Sequence, residues 1–257
     1  MHELSLITIN LHCLEEENIV ENQGLIVREI IRRDADVVFL QEVAQYADRP
    51  IINEDIKESN YGYELQQLLE EKGCNYFYTY HPIKFSFNKY DEGLGILSKY
   101  PLKDIESNYI SRTQNYSNWK SRKYLKATIK PFDKDIDLLT VHLGWDSREE
   151  SYLAQCEKLV KAITNDSTII GGDFNVSCGT EYYQKTVDFG LIDLYGLDSI
   201  KKYDCTFENV LDVHIESARI DYIFATQKYK VIEQEIIFKN PKVSDHFGIF
   251  MKIEVKA

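Results

Sequence analysis

The chain has 257 residues, 44% of them hydrophobic and 28% charged, enough apolar material for a sizeable core and far from a disordered profile. Its formal net charge of −12 sets a repulsive long-range field against a continuous nucleic-acid backbone. This disfavours a tight nucleic-acid binder without excluding a nuclease, whose cut site can draw positive charge from a metal ion and a local basic patch.

One domain over residues 1–257 is expected, because sandwich folds of this length stay undivided and no repeat, low-complexity tract or linker breaks the chain. Five cysteines without a CxxC pair fit reduced thiols. With no leader pattern and no membrane-length apolar run, the expectation is a cytoplasmic protein that does not enter a membrane.

Residues 4–10, LSLITIN, form an apolar run that ends on a polar side chain, as a buried strand delivering Asn10 to a sheet edge does. Residues 19–33 carry Val20, Leu25, Val27, Ile30 and Ile31 at helical spacing and end in Arg32 and Arg33, where the helix dipole favours cations. Residues 36–43 repeat the strand device and deliver Glu42. A second helix is expected over 61–73, closed by Gly73, and a third over 149–163, with Tyr152, Cys156 and Leu159 in its apolar stripe. Strand-like runs occupy 75–80, 93–98, 123–130, 135–143, 167–172, 219–225, 230–238 and 247–255. Strands both adjacent in sequence and separated by helices predict an α/β (α+β) sandwich, two mixed sheets face to face with helices outside. The stretches 44–60 and 81–91 read as loops. His81, Lys84 and Tyr90 lie in the second, as solvated residues or substrate contacts.

Several stretches carry chemistry. Gly171-Gly172-Asp173-Phe174-Asn175 places a carboxylate and a carboxamide at a strand end behind flexible glycines, although an Asx-rich turn explains it equally when read alone. Val243-Ser244-Asp245-His246 sets an acid beside an imidazole that can exchange protons near neutrality; a capping Asp beside a surface His is the plainer account. Arg219-Ile220-Asp221-Tyr222 buries a carboxylate in an apolar strand, which demands a cationic partner, either a histidine or Arg219 itself. Glu42 and Asn10 are oxygen donors of the kind that hold Mg²⁺. His142 sits among apolar residues, as core histidines also do.

In this order the motifs resemble the endonuclease/exonuclease/phosphatase superfamily: an Asn-ending first strand, QE after the second, a strand-borne His, GDFN, RIDYIF and a terminal SDH. The resemblance spans residues 10 to 246 and implies a four-layer αββα sandwich, DNase I-like, and a phosphoesterase that uses Mg²⁺, with Mn²⁺ as a substitute. It implies Glu42, Asn10 and Asp245 at the metal, and Asp173 with Asn175 orienting the nucleophile and contacting the scissile phosphate. It also implies His246 held by Asp221, and His142 as a second imidazole, for which Glu92 is the acidic partner.

Asp91-Glu92-Gly93, Trp119-Lys120-Ser121-Arg122 and His142-Leu143-Gly144-Trp145-Asp146 resemble the bacterial branch that includes maltose 6′-phosphate phosphatase, except that no second tryptophan follows Trp145. Arg122 then reads as a phosphate donor and Trp119 and Trp145 as faces for a sugar ring, against a surface ion pair and ordinary packing. A small phosphorylated substrate is the expected partner. A nuclease is the alternative, and a phospholipid or inositol-phosphate hydrolase a further one, for which no amphipathic docking helix is evident.

Overall fold

The computed structural model describes residues 2–197, 204–208 and 217–255. In chain order these form β1 (His2–Asn10), α1 (Ile19–Arg32), β2 (Val37–Tyr46), β3 (Ile51–Asn53), β4 (Ile56–Lys57), α2 (Tyr61–Glu71), β5 (Phe77–Ser86), β6 (Tyr90–Ser98), β7 (Lys103–Tyr109), β8 (Lys123–Ile129) and β9 (Ile136–His142). There follow α3 (Tyr152–Lys161), β10 (Thr168–Asp173), α4 (Glu181–Asp188), β11 (Ile192–Asp193), β12 (Asp221–Ala225), β13 (Lys230–Ile237) and β14 (Gly248–Val255).

Two six-stranded sheets result, ordered β13-β14-β1-β2-β6-β5 and β11-β12-β10-β9-β8-β7, beside the small β3-β4 hairpin. Each sheet has one parallel pair near its centre, β1 with β2 and β9 with β10. A parallel pair needs a crossover, and α1 and α3 supply them.

Side-chain alternation sorts the residues into layers. Leu4 and Leu6 of β1 face the second sheet and join Val37, Phe39, Leu138 and Ile169 in the core between sheets. Ile7 and Ile9 point the other way, against Ile26 and Ile30 of α1 and Leu65 of α2. On the far side Val141 and Ile170 pack with Tyr152, Cys156 and Leu159 of α3. The expected four-layer αββα sandwich is present. Asn60, Ser151 and Thr180 cap α2, α3 and α4 by accepting the N–H three residues on, and Gly73 closes α2 with φ +77°.

The structure departs from expectation at several places. Residues 81–91 are mostly strand, because β5 runs on to Ser86 and β6 begins at Tyr90; β2 likewise continues to Tyr46. The polar edge strand β7 and the short helix α4 carry too little apolar periodicity to be anticipated. The glycines of the GGD motif are there for space rather than flexibility. A Cβ on Gly171 would lie 2.3 Å from the Phe39 ring across the sandwich, and one on Gly172 would lie 2.3 Å from the Val141 carbonyl oxygen.

Candidate active site

The topology brings the chemistry to one edge. Register pairs Asn10 with Gln41 in the first sheet, and Asp173 with both His142 and Asp221 in the second. The two rows face each other across the mouth of the sandwich. Asn10 Nδ2 joins them, donating to Glu42 Oε1 at 3.0 Å and to Asp173 Oδ2 at 3.1 Å. Below, Gln41 Nε2 donates to Thr140 Oγ1 at 2.9 Å, a second polar tie that satisfies groups buried between the sheets. Glu42 reaches the cleft through a β-bulge between Leu40 and Val43, with its own φ at 49°, a left-handed conformation unusual for a non-glycine residue.

His246 Nδ1 lies 2.9 Å from Asp221 Oδ2, and Nε2 lies 3.8 Å from Asp173 Oδ2. Burial pulls the imidazole's proton affinity down, but Asp221, with help from Asp173 and Asp245, overrides it and lifts the pKa from 6.5 to about 10. Asp173 is pushed up to about 7, by burial first and by Asp221 and Glu42, against the pull of His246 and the Asn175 N–H. That N–H donates to Asp173 Oδ1 at 2.8 Å, and Asn175 Nδ2 donates to Leu143 O at 2.8 Å. Asp221 therefore pairs with His246; Arg219 is engaged elsewhere, with Asp193 at 2.6 Å.

His142 Nε2 stands 3.6 Å from Asp173, while Nδ1 is 3.8 Å from Glu42 and 3.9 Å from Glu92. Burial, reinforced by Arg122, Lys84 and His246, drives its pKa well below 6.5, so it is neutral. Glu92 does not hydrogen-bond His142 as expected. It is held by Ser86 Oγ and by Lys84 Nζ at 2.9 Å. Lys84, read from sequence as a loop residue, is thus a buried ammonium, 6% exposed, in the centre of the site.

Asp245, expected at the metal with Glu42, shares a neighbour with it, since both carboxylates act on His12. Its carboxylate lies 3.7 Å from His12 Nδ1, in a group with Glu16. Cys13, also unanticipated, donates its S–H to Glu42 Oε2 at 3.6 Å.

Arg122 is no surface ion pair. It is 3% exposed, Nη1 donates to the carbonyls of Trp119 and Ser121 at 2.7 and 3.0 Å, and its charge is felt by Glu92, Glu42 and Asp173. Trp119 and Trp145 are 57% and 60% exposed, and with Arg122 and Gly144 they line a pocket of about 160 Å³.

The donor set fits a divalent cation. Burial and the neighbouring Glu92 raise the pKa of Glu42, and Asp221 Oδ1 is buried without a partner. Crowded carboxylates of this kind hold surplus negative charge that a hard cation neutralises.

The model of the Endonuclease/Exonuclease/phosphatase family matches residues 7–246 of this chain. The chain belongs to this family. It is therefore a phosphoesterase of the endonuclease/exonuclease/phosphatase superfamily. No curated protein matches it.

Among solved structures, an endonuclease/exonuclease/phosphatase family protein from Leptotrichia buccalis C-1013-b is 28% identical, with a TM-score of 0.90 over 98% of this chain and 100% of that one. A mannosyl-6-phosphatase from Bacteroides thetaiotaomicron VPI-5482 is 17% identical, with a TM-score of 0.68 over 98% and 100%. TDP2 of D. rerio, complexed with single strand DNA product, is 19% identical, with a TM-score of 0.68 over 99% and 100%. The last two likenesses show the fold. No helix among the described residues is long and apolar enough to cross a membrane.

Proposed function

We propose that this family member is a phosphomonoesterase, dependent on Mg²⁺ or Mn²⁺, that acts on a small phosphorylated metabolite such as a sugar phosphate in the cytoplasm. The observation that carries the reading is Arg122, a buried guanidinium that joins the carboxylate and imidazole centre to the ring-sized pocket between Trp119 and Trp145. A phosphate at the centre would place its ester substituent beside that pocket.

Each residue has a task in hydrolysis. Asp173, with a pKa of about 7, is poised to take a proton from the attacking water, and Asn10 and the Asn175 N–H fix its orientation. His246, charged at neutral pH through Asp221, donates to the negative charge that builds on the phosphoryl oxygens. Neutral His142 adds a hydrogen bond beside it, and Arg122 and Lys84 contribute fixed positive charge. Glu42, Asn10 and Asp245 would hold Mg²⁺, which would supply Lewis-acid polarisation of a phosphoryl oxygen there. Water then attacks in line, the P–O bond to the ester substituent breaks, and the leaving alkoxide takes a proton from a cleft histidine, without a covalent enzyme intermediate.

The test compares phosphate release from sugar phosphates with nicking of plasmid and abasic duplex, in Mg²⁺ with and without chelator. Chelator-sensitive monoester turnover without nicking is expected, and His246→Ala abolishes it. Efficient DNA cleavage with no monoester turnover overturns the reading.

A further inference from the structure

Resting on the phosphomonoesterase reading, we infer that Gln155, Glu150 and Arg122 form a subsite that reads the hydroxyl groups of a ring attached to the phosphate, with Trp119 and Trp145 as its walls. Gln155 projects from α3 and is 1% exposed. Its Oε1 accepts from the Gly144 N–H at 2.9 Å, which fixes the direction of the amide. Its Nε2 is then a buried donor with no partner, and so is Arg122 Nε. Both flank one spot, since a Cβ on Gly144 would sit 3.4 Å from Gln155 Nε2 and 3.6 Å from Arg122 Nε. Buried N–H groups are rarely left unpaired, and two beside one pocket ask for ligand oxygens.

Glu150, 5% exposed, lines the same pocket. Its two oxygens accept from the Thr113 and Arg112 N–H groups at 2.7 Å each and keep further lone pairs. A carboxylate or a second phosphate would be repelled by Glu150. A hydroxyl suits this set, because it donates to Glu150 and its two lone pairs can accept from Gln155 and Arg122.

The walls narrow the class further. Trp119 and Trp145 are exposed indoles, suited to the flat C–H face of a polyol ring whose edge carries the hydroxyls. The pocket volume of about 160 Å³ is below the ~300–1,000 Å³ of drug-sized sites. It matches one ring rather than a base with its ribose.

The protein has two tryptophans, both in this pocket, so intrinsic emission reports on it directly. Metal-loaded His246→Ala protein is titrated with glucose 6-phosphate, mannose 6-phosphate, glycerol 3-phosphate, inorganic phosphate and AMP. A saturable emission shift with a hexose phosphate, absent with glycerol 3-phosphate and inorganic phosphate, is expected. Gln155→Glu, whose carboxylate captures Arg122 Nε and removes a donor, weakens hexose phosphate binding about tenfold.

Trp145→Ala, at an exposed position the fold tolerates, weakens it similarly by calorimetry, which secures the test if the Gln155 variant does not fold. No shift with either hexose phosphate, equal or tighter binding of glycerol 3-phosphate or AMP, or unchanged binding in both variants overturns the subsite. Mg²⁺-dependent phosphate release without the shift would leave the phosphomonoesterase reading standing. The shift without any phosphate release would do the reverse.

Discussion

Replacing Asp221 by Asn keeps the shape of the side chain and removes the charge that holds the proton on His246. Asp221 is fully buried and its Oδ2 lies 2.9 Å from His246 Nδ1. The imidazole pKa is raised, from 6.5 to about 10, so the stabilisation is fully present below 6.5 and is lost as pH rises through 10. The separation of those two values corresponds to about 5 kcal/mol at ~1.36 kcal/mol per pH unit, at the upper end of the ~3–5 kcal/mol that breaking a buried ion pair costs. In chelator, urea melts of Asp221→Asn should therefore show a loss of about 3–5 kcal/mol at pH 6, falling to roughly 1–2 kcal/mol at pH 9. Phosphate release in Mg²⁺ at neutral pH should fall by a factor on the order of 10²–10⁴. A stability loss of the same size at pH 6 and pH 9, or unchanged turnover, refutes the assignment of a charged His246 held by Asp221.

Saturating Mg²⁺ should stabilise the chelator-treated protein, by about 2.7 kcal/mol at a hundredfold excess over Kd, and Glu42→Gln should remove both that gain and phosphate release. Because Asp173 and Glu42 hold protons more tightly than ordinary carboxylates, metal binding at pH 6 should release protons, read as a calorimetric enthalpy that varies with the buffer. A buffer-independent enthalpy counts against carboxylate ligation. Lys84→Met strands the Glu92 charge and should cost about 3–5 kcal/mol in chemical denaturation, most of it regained in Lys84→Met/Glu92→Gln; equal losses in the single and double variants would deny the pairing. Gly171→Ala forces a methyl into the Phe39 ring and should cost about 1–3 kcal/mol by thermal melting. A neutral outcome would mean that the sheets separate easily there.

The parts of the site that were legible in sequence are those carried by local pattern. An apolar run that stops on Asn10, Asp173 or His142 announces a strand end, and strand ends are where a sheet can expose a polar group. What escaped depends on pairing between distant segments. Residues 81–91 carry no readable apolar pattern, so Lys84 reads as a loop residue; its burial follows from a register that sets it directly opposite Glu92. Arg219 stands two residues from Asp221 and reads as one of two candidate partners, the other a histidine, but Asp193, on the two-residue strand β11, takes it instead. The GGD glycines read as flexible, whereas the reason for Gly171 is a ring on the other sheet and for Gly172 a carbonyl on the neighbouring strand.

Charge arithmetic at the cleft links these residues to the choice of substrate. Glu42, Glu92, Asp173, Asp221 and Asp245 stand against Lys84, Arg122 and His246, with His142 neutral. With all five carboxylates ionised, two negative charges are in excess, and in a low-dielectric cleft they repel phosphate. A divalent cation cancels that excess and sets a local positive charge beside the phosphate, so phosphate affinity and metal occupancy rise together. The attraction is confined to the cleft, because the chain as a whole carries −12 and the remaining surface repels a long polyanion. A small monoester can place its whole charge inside the favourable region; a duplex must lay most of its phosphates outside it.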